Sequence, residues 1–165
     1  MRPPRTRKKA PPRPSRKTPV AIVRRILESY ARRGVFRSFS QTSSGGKAHF
    51  RFRWLWNLPF RATFQGKALR FENLLPAIPP GSELHAGLQA FIEGCQSDQR
   101  PEHRRIDPRR LAVQFSNRRL CFRVVGTDYE YGVRKAIHLV NEIFLSYLSA
   151  EHPQFLVRHF AVPEE

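Results

Sequence analysis

Acidic residues, cysteines and long apolar runs are scarce in this sequence of 165 residues. Thirteen Asp and Glu face 30 Lys and Arg, so the formal net charge is +17. Two cysteines are too few for a disulfide-dense scaffold, and no apolar run approaches the ~18 residues of a membrane-spanning helix. The basic N-terminus lacks the apolar segment of a secretory signal, so we expect a cytoplasmic protein without a membrane span. The 40% hydrophobic residues, with 13 Phe, suffice for one packed core.

Motifs of catalysis and metal binding are also missing. The sequence has no G-x-S-x-G, H-E-x-x-H or C-x-x-C pattern. The segment Gly45-Gly46-Lys47 lacks the upstream Gly and the following Ser or Thr of a phosphate-binding loop. The six His show no zinc spacing, and the carboxylates are dispersed rather than paired. The sequence therefore predicts a protein that is not an enzyme and that holds no metal or cofactor.

Residues 1–17 differ in composition from the rest of the chain. They hold eight Lys or Arg, five Pro and no acidic residue. Charge repulsion and the fixed φ of Pro disfavour helix and sheet, so we expect a disordered, extended arm. Residues 18–165 retain 22 basic and 13 acidic residues, a net charge of +9. We expect them to form a single domain that is basic in its own right.

Capping signals predict three main helices, and Pro153 indicates a short fourth helix. The three lie between Thr18-Pro19 and Gly34, from Ser82 to about Cys95, and from a capping box at Thr127 and Glu130 to about Ser149.

Alternating apolar and polar residues predict the strands. The clearest run is 48–56, which places aromatic side chains on one side and His49, Arg51 and Arg53 on the other. Further strands are predicted over 35–42, 60–64, 69–71, 111–115 and 120–125. The order of elements predicts a two-layer α+β fold, in which N-terminal, middle and long C-terminal helices pack on a mainly antiparallel sheet of five to six strands.

Arginines on neighbouring strands carry the main functional hypothesis, which is sequence-nonspecific binding of RNA or DNA. Guanidinium groups bind phosphates, and aromatic side chains at the rim of such a face stack on bases. The alternative is that these arginines only solvate the outer side of a half-buried sheet. The arm and the basic loop 96–110 would add contacts to nucleic acid or to an acidic protein surface. The candidate nucleic-acid-binding residues are Arg5, Arg7, Lys8, Lys9, Arg13, Arg51, Arg53, Arg61, Arg104, Arg105, Arg109 and Arg110.

A second hypothesis comes from the order of elements through Tyr147 and from the hairpin-to-helix stretch Leu111–Leu148. Over residues 19–149 this order resembles the YbjN and type III secretion chaperone-like domains. The resemblance implies a non-enzymatic module that binds protein segments, often as a homodimer. An apolar groove for such a partner would be bordered by Trp54, Leu55 and Trp56.

Overall fold

The computed structural model describes residues 18–55, 57–72, 74–116 and 118–160. The predicted arm, residues 1–17, lies outside these ranges. The fold is α+β as predicted, with helices packed on a six-stranded antiparallel sheet. The strands are β1 (Arg37–Ser44), β2 (Lys47–Trp54), β3 (Leu58–Gln65), β4 (Ala68–Glu72), β5 (Leu111–Ser116) and β6 (Arg119–Val124). The helices are α1 (Pro19–Arg32), α2 (Glu83–Gln96), α3 (Tyr129–Glu142) and α4 (Pro153–Phe160), with a short 3₁₀ turn at Glu102–Arg104.

The first two helices begin where their capping residues predict. The Thr18 hydroxyl accepts a hydrogen bond from the Ala21 amide at 3.3 Å, and Ser82 accepts one from the His85 amide at 3.2 Å. Gly34 follows α1 with φ +78°, a left-handed conformation that glycine adopts without steric cost. These caps satisfy amide groups that the first helical turn leaves without partners.

The predicted start of the longest helix is wrong by one residue. Asp128, rather than Thr127, caps α3, because its carboxylate accepts from the Tyr131 amide at 3.1 Å. A carboxylate at this position also suits the positive end of the helix dipole. Beyond Glu142 the helix continues as a π-helical turn, Ile143–Leu148, and a last turn, Ser149–Glu151.

The strand order is β1-β2-β3-β4-β6-β5, so a four-strand meander is extended by the β5–β6 hairpin. The register places the alternating apolar side chains of neighbouring strands opposite one another. Ala62 of β3, for example, stands between Phe50 of β2 and Phe71 of β4. The predicted strand 48–56 is too long, because β2 ends at Trp54 and Leu55 has φ +38°.

The helices cover one side of the sheet and form a single core with it. Phe50, Phe71 and Phe122 of the sheet and Phe144 of the π-helical turn are among the largest fully buried side chains. The helices α1 and α3 contact each other above this layer. In the described ranges, no helix is both long and apolar enough to cross a bilayer. No helix of the described residues covers the opposite side of the sheet, and its side chains are exposed or half-buried.

Candidate nucleic-acid interface

The uncovered side of the sheet, termed the open face, carries mainly basic side chains. Alternation along β2 turns Arg51 and Arg53 to this side, while Phe50 and Phe52 enter the core. Within the six strands Glu72 is the only acidic residue. The basic residues of the open face are Arg37, Lys47, Arg51, Arg53, Arg61, Arg70, Arg119 and Arg123.

Arginines face arginines directly across three of the strand pairings. The register pairs Arg37 with Arg53 and Arg51 with Arg61. It also pairs Arg70 of β4 with Arg123 of β6. Side chains directly opposite each other in an antiparallel pair are only about 5 Å apart, and like charges at such positions are destabilising. The open face thus concentrates repulsion instead of alternating the two signs of charge.

Few polar partners offset this repulsion. The Arg61 guanidinium lies 3.3 Å from the Glu72 carboxylate, and both side chains are more than a third exposed. Arg53 donates to the Asn57 carbonyl oxygen at 3.1 Å. No carboxylate of the described residues lies within ion-pair distance of the other open-face cations. Their charges are therefore available to an external anion.

Two shallow hollows lie side by side on the open face. One, of about 510 Å³, is lined by Arg51, Arg53 and Arg119. The other, of about 480 Å³, is lined by Lys47 and Arg70, together with the ring of His49. The Arg61–Glu72 ion pair lines both hollows and separates them. Each hollow thus offers an anion several converging cationic groups, and guanidinium forks match phosphate geometry.

The aromatic rim expected from the sequence is not part of the open face. In the described strands every Phe belongs to the core side, and Trp54 does too. The Trp54 ring packs against Phe36 at 5.4 Å and Phe60 at 5.6 Å between centroids. The reason is the period of two, which sends Trp54 to the same side as Phe50 and Phe52. Among the described residues, the face therefore presents cations and the His49 side chain, but no Phe, Tyr or Trp ring on which bases could stack.

The loop arginines do not join the open face. Tertiary contacts hold this loop beside α3, where Lys135 donates to the His103 carbonyl at 2.8 Å and Tyr131 accepts from the Asp107 amide at 3.0 Å. Each of the predicted arginines also has an acidic neighbour. The pairs are Arg104 with Glu142 at 3.8 Å, Arg105 with Asp98 at 3.7 Å, Arg109 with Asp107 at 3.3 Å, and Arg110 with Asp128.

Arg109 illustrates how these arginines interact with their acidic neighbours. The backbone and side-chain hydrogen bonds from Arg109 lower the pKa of the Asp107 carboxyl. Arg110 additionally stacks 3.5 Å from the centre of the Tyr131 ring. The predicted residues Arg5, Arg7, Lys8, Lys9 and Arg13 lie outside the described residues.

Several cations of the open face were missed in the sequence prediction, although the signal was present. Arg70 lies between Leu69 and Phe71, and Arg123 between Phe122 and Val124. The same alternation that identified Arg51 and Arg53 places them on the outer side of their strands. Their proximity to each other depends on the pairing of β4 with β6, which brings together segments about 50 residues apart.

A buried charge cluster near the C-terminal end of α2 is the other conspicuous polar feature. Glu142, 7% exposed, accepts from the Arg100 guanidinium at 2.7 Å and lies 3.6 Å from the Cys95 sulfur. The His138 Nε2 is 2.7 Å from the Glu142 Oε1, but not in hydrogen-bond geometry. Burial raises the pKa of the Cys95 thiol to about 11, so this sulfur is a protonated donor. The cluster has the properties of a structural link between α3 and the loop that follows α2.

The second cysteine lies on the outer side of β6. Cys121 is half-buried, and burial raises the pKa of its thiol despite the nearby charges of Arg70 and Arg123. No grouping of three or more His, Cys, Asp or Glu suited to a metal ion occurs in the described part of the chain.

The predicted apolar groove is only partly formed by the predicted residues. Trp54 and Leu55 are half-buried against the core, and Trp56 lies outside the described residues. Trp54 and Leu55 line a hollow of about 430 Å³ together with Val35, Arg37 and Arg53, so cations border it.

Comparison with protein-family models, with curated proteins and with solved structures gave no match to the chain. What the open face can bind is therefore derived from its own residues and geometry.

Proposed function

We propose that this protein binds nucleic acid without sequence specificity, and that the open face is its folded contact surface. The observation that carries the proposal is the set of three arginine pairs across strands, Arg37–Arg53, Arg51–Arg61 and Arg70–Arg123. A face that served only to keep the fold in solution would lose nothing by mixing charges. Instead, each like-charge pair costs the native state about 0.2–1 kcal/mol. A bound polyanion removes that cost, because each phosphate then neutralises a charge.

The predominance of arginine over lysine on the open face supports phosphate as the group that is recognised. Seven of the eight cations are Arg, with Lys47 the exception. Guanidinium groups bind phosphate through two parallel hydrogen bonds, while an ammonium group acts as a point charge. No large apolar side chain of the described strands lies among them on the open face, which disfavours insertion into a lipid bilayer. Phosphate contacts position a protein on nucleic acid but carry no sequence information, which accounts for the absence of specificity.

The arm complements the open face in this proposal. Its cations, among them Arg5, Arg7, Lys8, Lys9 and Arg13, provide loose electrostatic capture, and the open face provides an ordered contact. Both contributions release counterions from the nucleic acid, so the affinity falls steeply with salt. The loop arginines Arg104, Arg105, Arg109 and Arg110 contribute less than the open face, because each of them has an acidic neighbour that repels a phosphate.

Charge reversal at Arg70 tests the proposal in the full-length chain. In Arg70→Glu the new carboxylate faces Arg123, so the free energy of unfolding rises by up to about 1 kcal/mol. The same substitution lowers affinity for a labelled double-stranded oligonucleotide, because the open face loses a phosphate contact and gains a repulsive charge. Affinity is measured by fluorescence anisotropy and stability by urea unfolding. Higher stability together with weaker binding is the result expected of a site in which like-charge repulsion is kept for the sake of an anionic ligand.

The matched control is Arg25→Glu, which makes the same change of net charge on the exposed surface of α1. It should lower the affinity far less than Arg70→Glu. Equal losses for the two variants would mean that only net charge matters, and the proposal would then be wrong. Tighter binding to vesicles of anionic lipid than to oligonucleotide would also contradict it.

A protein-binding module is the second candidate, following the resemblance to the YbjN and type III secretion chaperone-like domains. The observation in its favour is the hollow beside Trp54 and Leu55, where Val35 is 37% exposed. Pull-down before and after nuclease treatment separates the two functions. Nucleic-acid binding predicts that captured partners disappear with nuclease. Partners that persist, and that Leu55→Ser removes, would favour the protein-binding module.

A further inference from the structure

The two hollows of the open face form a broad cationic field rather than a groove. Lys47 and Arg53 are six residues apart on β2, a distance of about 20 Å along an extended strand. The cations also extend from Arg37 of β1 across β2, β3 and β4 to β6, four strand spacings or about 19 Å. The Arg61–Glu72 pair lies between the hollows. A ligand that engages both hollows must therefore present phosphates on both sides of this ion pair.

We infer that the open face is built for double-stranded nucleic acid, which it contacts through the phosphates alone. This inference rests on the proposed function and narrows it to one class of substrate. A duplex carries one negative charge per about 1.7 Å of its axis, from two backbones whose separation the helix fixes in advance. Both hollows can be filled by such an array without the ligand being reshaped.

Apart from His49, no aromatic side chain of the described strands lies on the open face, and this argues against single strands. Proteins that bind single strands combine a groove that follows one backbone with aromatic rings on which bases stack. Here the rings of Phe50, Phe52 and Phe60 are buried. Trp54 is packed against the core. A single strand would lose conformational entropy on becoming ordered and would gain only phosphate contacts in return. A duplex is already ordered before it binds, so it does not lose that entropy.

The ion pair between the hollows is consistent with a duplex. The Glu72 carboxylate would repel a phosphate placed above it, so backbone phosphates must lie on either side of it. Two backbones separated by a groove meet this requirement because the helix fixes their separation, whereas a single strand must first be ordered into such an arrangement. Arg61 remains close to both hollows and reduces the repulsion from Glu72.

The test compares ligands with equal numbers of phosphates. A duplex of about 20 base pairs and an unstructured single strand of about 40 nucleotides are titrated with the full-length chain over a range of salt concentrations. The variants are Arg51→Ala in one hollow and Arg70→Ala in the other, and Arg25→Ala on α1 is the control. Each open-face substitution should lower duplex affinity by about eightfold at roughly 0.1 M salt, and reduce the salt slope by about one. Single-strand affinity should change about as little as it does in the control.

The outcomes separate the inference from the proposed function. If both substitutions weaken duplex and single strand equally, the open face binds nucleic acid but does not select duplex, and the inference is wrong. If neither substitution weakens either ligand more than the control does, the open face is not the contact surface and the proposed function fails as well. Selective loss of duplex binding in both variants supports the inference.

Discussion

At the scale of single residues, Glu142 is the clearest case of a charge buried for structure. Burial raises the pKa of its carboxyl, but the hydrogen bond and charge of Arg100, the charge of His138 and the hydrogen bond from Cys95 together outweigh burial, so the pKa is lowered overall. Glu142 also faces His138 and Cys95, which makes it the centre of the link between α3 and the loop after α2. Its contribution to stability therefore depends on its ionisation.

Replacing this carboxylate makes the dependence measurable. A carboxyl whose pKa is lower in the folded state than in the unfolded state stabilises the fold at a pH above its unfolded-state pKa. That contribution is lost as the pH falls through its folded-state pKa. Glu142→Gln should lower the free energy of unfolding by about 2 kcal/mol at pH 7, because Arg100 loses a charged partner. The difference from the wild type should shrink at pH 3, as urea unfolding at both pH values would show.

The control for this prediction is Glu130→Gln. Glu130 forms an exposed ion pair with Arg134, four residues further along α3, at 3.3 Å. Such a pair contributes only about 0.3–0.5 kcal/mol. A Glu142→Gln effect that is as small as this, or that is the same at both pH values, would contradict the role assigned to Glu142.

At the scale of elements, glycines inside the helices allow close packing of the helix layer. A Cβ atom placed on Gly132 of α3 would overlap the Cγ atoms of Val124 in β6. Gly87 of α2 similarly makes room for the Tyr147 hydroxyl, which donates to the Leu84 carbonyl at 3.1 Å. Close approach of α3 to the sheet, and of α2 to the π-helical turn, thus depends on two glycines inside helices, where glycine is otherwise unfavourable.

Replacing Gly132 by alanine tests how closely α3 packs on β6. Gly132→Ala gains up to about 1 kcal/mol of helix propensity but overpacks the contact with Val124, at a cost of about 1–3 kcal/mol. We expect a net loss of stability in thermal unfolding. Gly94→Ala is the matched control, because a Cβ atom there meets nothing within 4 Å. It should stabilise the protein, and stabilisation by both variants would show that α3 is not closely packed on β6.

At the scale of the whole molecule, charge is divided between two sides. Arginines beside α3 have acidic partners, as Arg100 and Arg104 do with Glu142, while most cations of the open face have none among the described residues. A net charge of +17 already favours expansion of the chain through self-repulsion. The molecule is therefore expected to be more stable when anions or salt reduce the repulsion on the open face.

Thermal unfolding at pH 7 tests this expectation. Raising sodium chloride from about 0.01 to 0.2 M shortens the screening length from about 30 Å to below 10 Å, which weakens the repulsion between open-face arginines. The Tm should rise, by about 2–4 °C for each kcal/mol recovered. Tripolyphosphate should raise it at a far lower concentration, since it binds the folded state. A Tm that falls with salt would show that the ion pairs beside α3 dominate instead.

The division between what was predictable and what was not follows the range of the interactions. Thr18 and Ser82 were identifiable as caps because a cap acts on an amide three residues away. Asp128 was missed as a cap because Thr127 and Glu130 offered an equally plausible local pattern. Arg51 and Arg104 were both predicted to contact nucleic acid. The local sequence could not show that Arg104 has an acidic partner and Arg51 has none among the described residues, since both lie in basic segments.

The sequence by itself determined which side of each strand is basic, because the direction of a side chain in a strand repeats every two residues whatever the strand pairs with. It therefore also determined that the Phe residues of β2 would enter a core. Only the tertiary structure decided which cations became neighbours and which were neutralised. Arg70 meets Arg123 through strand pairing, and Arg100 meets Glu142 across 42 residues of chain. Contacts of that range depend on the packing of whole elements, which no local pattern specifies.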